Sequence, residues 1–294
     1  MKRVQWLDYD VVDVFTDRPY AGNPLAVVHG GDGLATPQLQ ALAREFNLAE
    51  TTFPTVRAGG SSYDVRIFTP AEELPFAGHP TLGTAWLLRR QDQLERDDVV
   101  QHCGAGEVPV RVEADMAELT ARPRYLHRRE DADALAEAVG VGLHDVEGPA
   151  YEASAGLGWV FLRVRADAVG RARVPGSGWS VQPVGADLVG GVCVWSGASG
   201  DPVPVHARVF CPDVGVTEDP ATGSAAAALG PVLVAHGSAA HDGETAYRIA
   251  QGAEIGRPST LHGRVEVDGG NPVRVQIGGG VAHVAAGRIA VPPV

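Results

Sequence analysis

The chain has 294 residues, of which 45% are apolar and 20% charged, and it carries a formal net charge of −12. This is ordinary globular composition, with length enough for one large domain or two of average size. The acidic balance argues against a nucleic-acid partner, which needs clustered lysine and arginine, and no apolar run reaches membrane-spanning length.

In chain order, the N-terminal "MKRVQWLDYDVVDVF" reads as a strand rather than the apolar core of a secretory signal, so a cytoplasmic location is expected. Alternating β-branched segments predict strands at Val11–Phe15, Leu25–Val28, Tyr63–Phe68, Val108–Val112, Val160–Val164, Val192–Trp195, His206–Phe210, Arg264–Val267 and Val273–Ile277. Helical spacing predicts Thr36–Phe46, Pro80–Gln91, Ala132–Val139 and Gly223–His236. The charged, proline-bearing "RPRYLHRRE" (122–130) marks a boundary between halves. The expected division is 1–121 and 122–279, with about 280–294 returning to complete the first half.

Cofactor signatures are missing. Three scattered cysteines, Cys103, Cys193 and Cys211, suit neither a disulfide scaffold nor a zinc site, and the ten histidines form no HExxH pattern. The only lysine is Lys2, which leaves no buried amine for Schiff-base chemistry. "CGAGEVPV" and "AGLGWVFL" contain GxG but run into β-rich sequence, the wrong context for a dinucleotide fingerprint. The sequence thus points to chemistry by side chains alone, with no metal and no cofactor.

The halves resemble each other. "VRIFTP" (65–70) answers "ARVFCP" (207–212), and each is followed by an acidic loop, a glycine and an apolar helix: "AEELPFAGHPTLGTAWLL" against "DVGVTEDPATGSAAAALGPVL". "CGAGEVPVRVE" then answers "QGAEIGRPSTLHGRVE". The shared order implies duplication and two similar domains related by a pseudo-twofold. His79 follows Gly78 as Ser224 follows Gly223, each at the electropositive start of a helix, where anions are stabilised. If the pseudo-twofold brings both starts to one interdomain cleft, that cleft suits a carboxylate or an enolate. The competing expectation is that both residues merely cap their helices, which fits serine better than histidine.

The segments "DVFTDRPYAGNPLAVV", "FNLAETTF", "PFAGHPTLGTA", "VFCPDVGVTEDPATGSAAAALG" and "QGAEIGRPS" together resemble the PhzF-like (phenazine biosynthesis-like) family, which shares the diaminopimelate epimerase fold. The resemblance implies an α/β protein of α+β type, with two domains that each wrap a mostly antiparallel sheet around a central helix. It implies a cofactor-independent isomerase or epimerase acting on a small carboxylate, usually as a homodimer. The phenazine-pathway member moves a proton between ring carbons of trans-2,3-dihydro-3-hydroxyanthranilate. Carried over by motif, the catalytic acid/base falls on Glu50, its partners on His79 and Asp219, and the binding groups on Gly78, Gly223 and Ser224. The two cysteines of the epimerase branch fall on Ala77 and Thr222, so a thiol pair is missing here.

The residues read by themselves agree. Glu50 stands among Leu48, Ala49 and Phe53, apolar neighbours that disfavour a bare charge. Asp219 could accept a substrate amine or hold His79 protonated. Asn23, in a Gly-Asn-Pro turn between two strands, could reach the cleft, whereas Gln251, Arg257 and Ser259 read as structural. Residues 140–205 match nothing and are expected to help shape the pocket. Two further readings stand beside the isomerase: a cofactor-free epimerase or racemase with oxygen bases, using Glu50 and Asp219 in place of thiols, and a binding protein that has kept the fold without turnover.

Overall fold

The computed structural model describes residues 4–174, 179, 181–185, 189–214 and 216–293. Lys2 lies outside them. The chain divides into two compact units, Met1–Leu119 with Gly278–Val294, and Thr120–Ile277. The first division falls inside the strand Met116–Ala121, and the second falls inside the long strand Asn271–Ala290.

The helices are α1 (Thr36–Phe46), α2 (Gly78–Arg90), α3 (Ala132–Ala138), α4 (Ala166–Val169) and α5 (Gly223–Ala235). In the first unit, Trp6–Val14 pairs antiparallel with Asn23–Val28 on one side and with Asn271–Ala290 on the other. Asn23–Val28 runs parallel to Glu50–Val56, which pairs antiparallel with Ser62–Phe68. The succession continues through Asp98–Cys103, Gly106–Val112 and Met116–Ala121, and the last of these pairs back onto Asn271–Ala290. The sheet thereby closes on itself around α2, whose residues Gly78 to Leu88 are all buried. Closure leaves few open edges. Helix α1 packs outside, with Leu39, Leu42 and Ala43 against Phe53, Phe68 and Val28.

The second unit repeats this order. Tyr125–Arg129, Ala150–Ser154, Gly158–Arg163, Val189–Gly197, Val203–Cys211, Gly243–Gln251 and Ser259–Asp268 pair in succession, and α5 packs on Ala150–Ser154, Gly158–Arg163 and Ser259–Asp268. Helices α3 and α4 cover the outer face through Leu135, Val139, Ala168 and Val169. Most of the region 122–130 is a strand, Tyr125–Arg129, paired along its length with Ala150–Ser154.

The sequence repeat has a physical counterpart inside each unit. Arg66 lies over the Phe68 ring, 5.1 Å from guanidinium carbon to ring centroid, and makes a bidentate pair with Glu73 of the short strand Glu73–Leu74. Arg208 lies 5.0 Å over Phe210 and makes the same pair with Glu218 of the strand Val216–Asp219. Each arginine therefore anchors the acidic segment that leads to its central helix.

Asp10 fastens the returning C-terminal strand. It accepts hydrogen bonds from His283 on that strand (2.7 Å), from His29 (2.8 Å) and from Gln91 at the end of α2 (2.9 Å). Burial alone would raise its pKa, but these donors outweigh burial and hold the carboxyl below the usual carboxylate range.

Two glycines set the geometry that the site requires. Gly22 has φ +67°, and a Cβ there would lie 2.3 Å from the Val14 carbonyl oxygen, so the turn into Asn23 needs glycine. Gly83, one helical turn after His79, faces Leu25 and Val14 so closely that an added Cβ would stand 2.8 Å from a side-chain carbon of each. The helix thus rests directly on the strands beside it. Gly83→Val is expected to destabilise the protein by about 1–3 kcal/mol through overpacking, read as a lower denaturant midpoint with unchanged m. A loss below about 0.5 kcal/mol would contradict the close approach.

Candidate active site

The start of α2 differs from the sequence expectation in one instructive way. The helix begins at Gly78 with Ala77 as its extended N-cap, so His79 is the second helical residue and Pro80 the third, not the first. Proline is tolerated anywhere in a first turn because its missing N–H has no intrahelical acceptor there. At α5, Thr222 is the N-cap and Ser224 again stands second. Neither N-cap residue makes a side-chain capping bond. His79 and Ser224 are therefore inside their helices, and capping does not account for either.

Glu50 opens the strand Glu50–Val56 two residues before Thr52, so alternation puts both on one face. That face looks at α2, since the Thr52 and Thr84 hydroxyls lie 2.9 Å apart. Phe53 points the opposite way, to α1. The Glu50 carboxyl oxygen Oε2 comes to 3.4 Å from His79 Nε2.

The Pro24 backbone carbonyl acts on the imidazole as a hydrogen-bond acceptor, and because Nε2 has no hydrogen-bond partner among the described residues the donor is assigned to Nδ1. A carbonyl only accepts, so Nδ1 carries the proton. Burial pushes the His79 pKa down to about 3, even though the Pro24 bond works in the opposite direction. The imidazole is neutral at physiological pH and presents the Nε2 lone pair toward Glu50. The contact is not an ion pair.

Asn23, fully buried, begins the strand that carries Pro24 and pairs with Val14. Leu25, two residues on, is the register partner of Glu50. Asn23, Pro24, Glu50, Gly78 and His79 thus gather at one end of α2 in the first unit.

A relay that the sequence reading missed supports this helix start. Tyr63 donates to Gln101 Oε1 (3.0 Å), Gln101 Nε2 donates to Thr81 Oγ1 (2.8 Å), and Thr81 donates to the Ala77 carbonyl (2.8 Å). All three side chains are fully buried.

The second unit holds Asp219, Gly223 and Ser224. Asp219 ends the strand Val216–Asp219 rather than lying in a loop, and Arg208 braces that strand through Glu218. Gln251 Nε2 donates to the Asp219 carbonyl (2.8 Å) and to Thr222 Oγ1 (3.0 Å), while the Thr222 hydroxyl donates to Asp219 Oδ2. The Gln-to-Thr relay of the first unit recurs here, but it ends on a carboxylate. Ser224 Oγ accepts the indole N–H of Trp159 at 3.1 Å. Trp159 lies in the stretch that matched no motif, and only its apolar strand context was legible.

No group of three or more histidines, cysteines or acids among the described residues is arranged to hold a metal. Likewise, no helix among them is long and apolar enough to cross a membrane. Among the thiols, Cys193 and Cys211 are buried, burial pushes the Cys193 thiol well up, and Cys103 is partly exposed.

The phenazine biosynthesis-like family profile matches residues 12–287. An uncharacterized isomerase of Mesorhizobium japonicum is 35% identical, over 97% of this chain and 99% of that protein. The trans-2,3-dihydro-3-hydroxyanthranilate isomerase of Pseudomonas aeruginosa is 34% identical, over 95% of this chain and 98% of that protein. The crystal structure of a PhzF-family phenazine biosynthesis protein from Bacillus anthracis superposes with a TM-score of 0.82 at 22% identity, covering 97% of this chain and 99% of that one, and shares its fold.

Two outcomes follow from these groups. A histidine buried neutral binds its proton only in the unfolded chain between pH 6.5 and about 3, so stability falls as pH falls through that window. His79→Gln is expected to flatten that part of the stability profile in denaturant titrations at stepped pH, and an unaltered slope would contradict the neutral imidazole. Iodoacetamide on the folded protein should label Cys103 alone by peptide mass mapping.

Proposed function

We propose that this chain, which belongs to the phenazine biosynthesis-like family and is an isomerase, shifts a proton between carbons of a small cyclic or unsaturated carboxylate, with Glu50 as the acid/base. The single observation that carries the reading is Glu50 Oε2 at 3.4 Å from Nε2 of the buried His79.

Glu50 takes the proton from one carbon, and the electron pair of that C–H bond becomes part of a new C=C bond. The existing double bond moves along the conjugated system, and the far carbon takes the proton back from Glu50. Atoms and electrons balance within the substrate, so the step needs no co-reactant. While Glu50 is protonated, its O–H donates to the Nε2 lone pair of His79, which keeps the proton from leaving. An imidazolium would instead compete to donate a proton of its own.

Asp219, held as an acceptor by the Thr222 hydroxyl, is assigned to a substrate amine or hydroxyl. Asn23, Gly78, Gly223 and Ser224 are assigned to binding, and helix-start N–H groups suit a carboxylate. The positions of the epimerase thiols supply no second base. Ala77 has none, and the Thr222 hydroxyl gives its proton to Asp219 while accepting from Gln251. An oxygen-base epimerase would instead use Glu50 and Asp219, and chiral analysis of the product separates it from single-carboxyl proton transfer.

The test uses trans-2,3-dihydro-3-hydroxyanthranilate, the compound in the name of the Pseudomonas aeruginosa relative. Glu50→Gln should bind it nearly as wild type does and lose turnover by about 10²–10⁴-fold, the usual loss for a general acid–base. Turnover in deuterium oxide should give product with incomplete label, because one carboxyl carries the proton from carbon to carbon. Near wild-type turnover in Glu50→Gln would transfer the role to Asp219 or His79.

A further inference from the structure

We infer that Trp159 is a specificity-determining residue: its indole N–H fixes the Ser224 hydroxyl as a hydrogen-bond donor to the ligand, so that this helix start selects a carboxylate over its neutral amide. The inference rests on the proposed binding role of Ser224 and adds the group that sets its polarity.

Hydrogen-bond capacity sets the polarity of this pair. An indole N–H donates and cannot accept, whereas a serine hydroxyl has one proton and two lone pairs. Trp159 Nε1 lies 3.1 Å from Ser224 Oγ, so the indole occupies a lone pair of the hydroxyl. No other hydrogen bond of the Ser224 side chain is seen among the described residues, so its proton is left for whatever lies at the helix start. There it adds to the first-turn N–H groups of Gly223 and Ser224, which have no intrahelical acceptors. The hydroxyl and these two N–H groups all donate, and the acceptor beside them, the Asp219 carboxylate, is already engaged by the Thr222 hydroxyl. A carboxylate satisfies all of these donors, whereas a carboxamide must also place an N–H₂ among them.

The indole is not free to turn away. Trp159 is 4% exposed, and it seats against Gly190 of the neighbouring strand Val189–Gly197, where an added Cβ would stand 2.7 Å from the six-membered ring. A second independent constraint, the backbone register of Trp159 opposite Ala153, fixes the Cα from which the ring projects. Thus the sheet fixes the ring, and the ring sets the serine.

The experiment compares anthranilate with anthranilamide, flat ligands of one shape that differ in carboxylate against carboxamide. Calorimetric titration is carried out on wild type, Trp159→Phe, Ser224→Ala and the double variant. Wild type should prefer anthranilate. Trp159→Phe should cut that preference about three- to tenfold, the worth of one hydrogen bond, with anthranilamide affinity held or improved because the serine can now turn and accept. In the Ser224→Ala background the same substitution should change nothing further.

A preference unchanged in Trp159→Phe overturns the inference. So does an equal loss for both ligands, which marks a packing defect, or an effect that persists without Ser224. A wild type that binds neither compound contradicts the cyclic-carboxylate reading and takes the inference with it. Loss of the Trp159 effect alone leaves that reading standing.

Discussion

The hydrogen bond from His79 Nδ1 to the Pro24 carbonyl is the constraint on which the rest of the first unit depends. A neutral imidazole has one N–H, and spending it on a backbone acceptor leaves Nε2 as a pure acceptor facing Glu50. That bond is possible because α2 lies close to the strands beneath it, and Gly83 is the residue that permits the approach. Proline at 24 has no N–H of its own, but its carbonyl is available, and the turn through Gly22 delivers it at the right end of the helix. Burial then removes the charged alternative.

The second unit uses the same architecture with a different terminal acceptor. In each, a buried glutamine donates to a threonine at the head of the central helix, and the threonine passes its proton to an acceptor just before the helix. The acceptor is a backbone carbonyl at Ala77 in one and the Asp219 carboxylate in the other. The second helical residue is His79 in α2 and, in α5, Ser224, whose hydroxyl accepts from the Trp159 indole. The scaffold recurs, and the two helix starts differ in the groups they offer.

Much of this was legible in the sequence, and the exceptions have physical causes. The four longer helices were placed within two residues of their observed ends, because their apolar spacing is strong and Gly and Asn punctuate them. The start of α2 was placed two residues late because proline was taken for the first helical residue, although it fits any position of a first turn. Strands such as Asp98–Cys103 and Gly243–Gln251 escaped because their alternation is broken by His, Arg and Glu. Glu50, His79, Asp219 and Ser224 were visible as motif residues, whereas the neutral state of His79 was not. It depends on burial and on a carbonyl 55 positions away, which no local pattern reports. Gln101 and Trp159 were invisible for the same reason: each acts on a residue remote in sequence.

The most direct measurement of the central claim is ¹⁵N NMR of the His79 imidazole, with the signal assigned by a His79→Gln control. The account predicts a neutral ring across pH 5–8, with Nδ1 protonated and Nε2 bare. A ring protonated on both nitrogens in that range, or protonated at Nε2 alone, would contradict it.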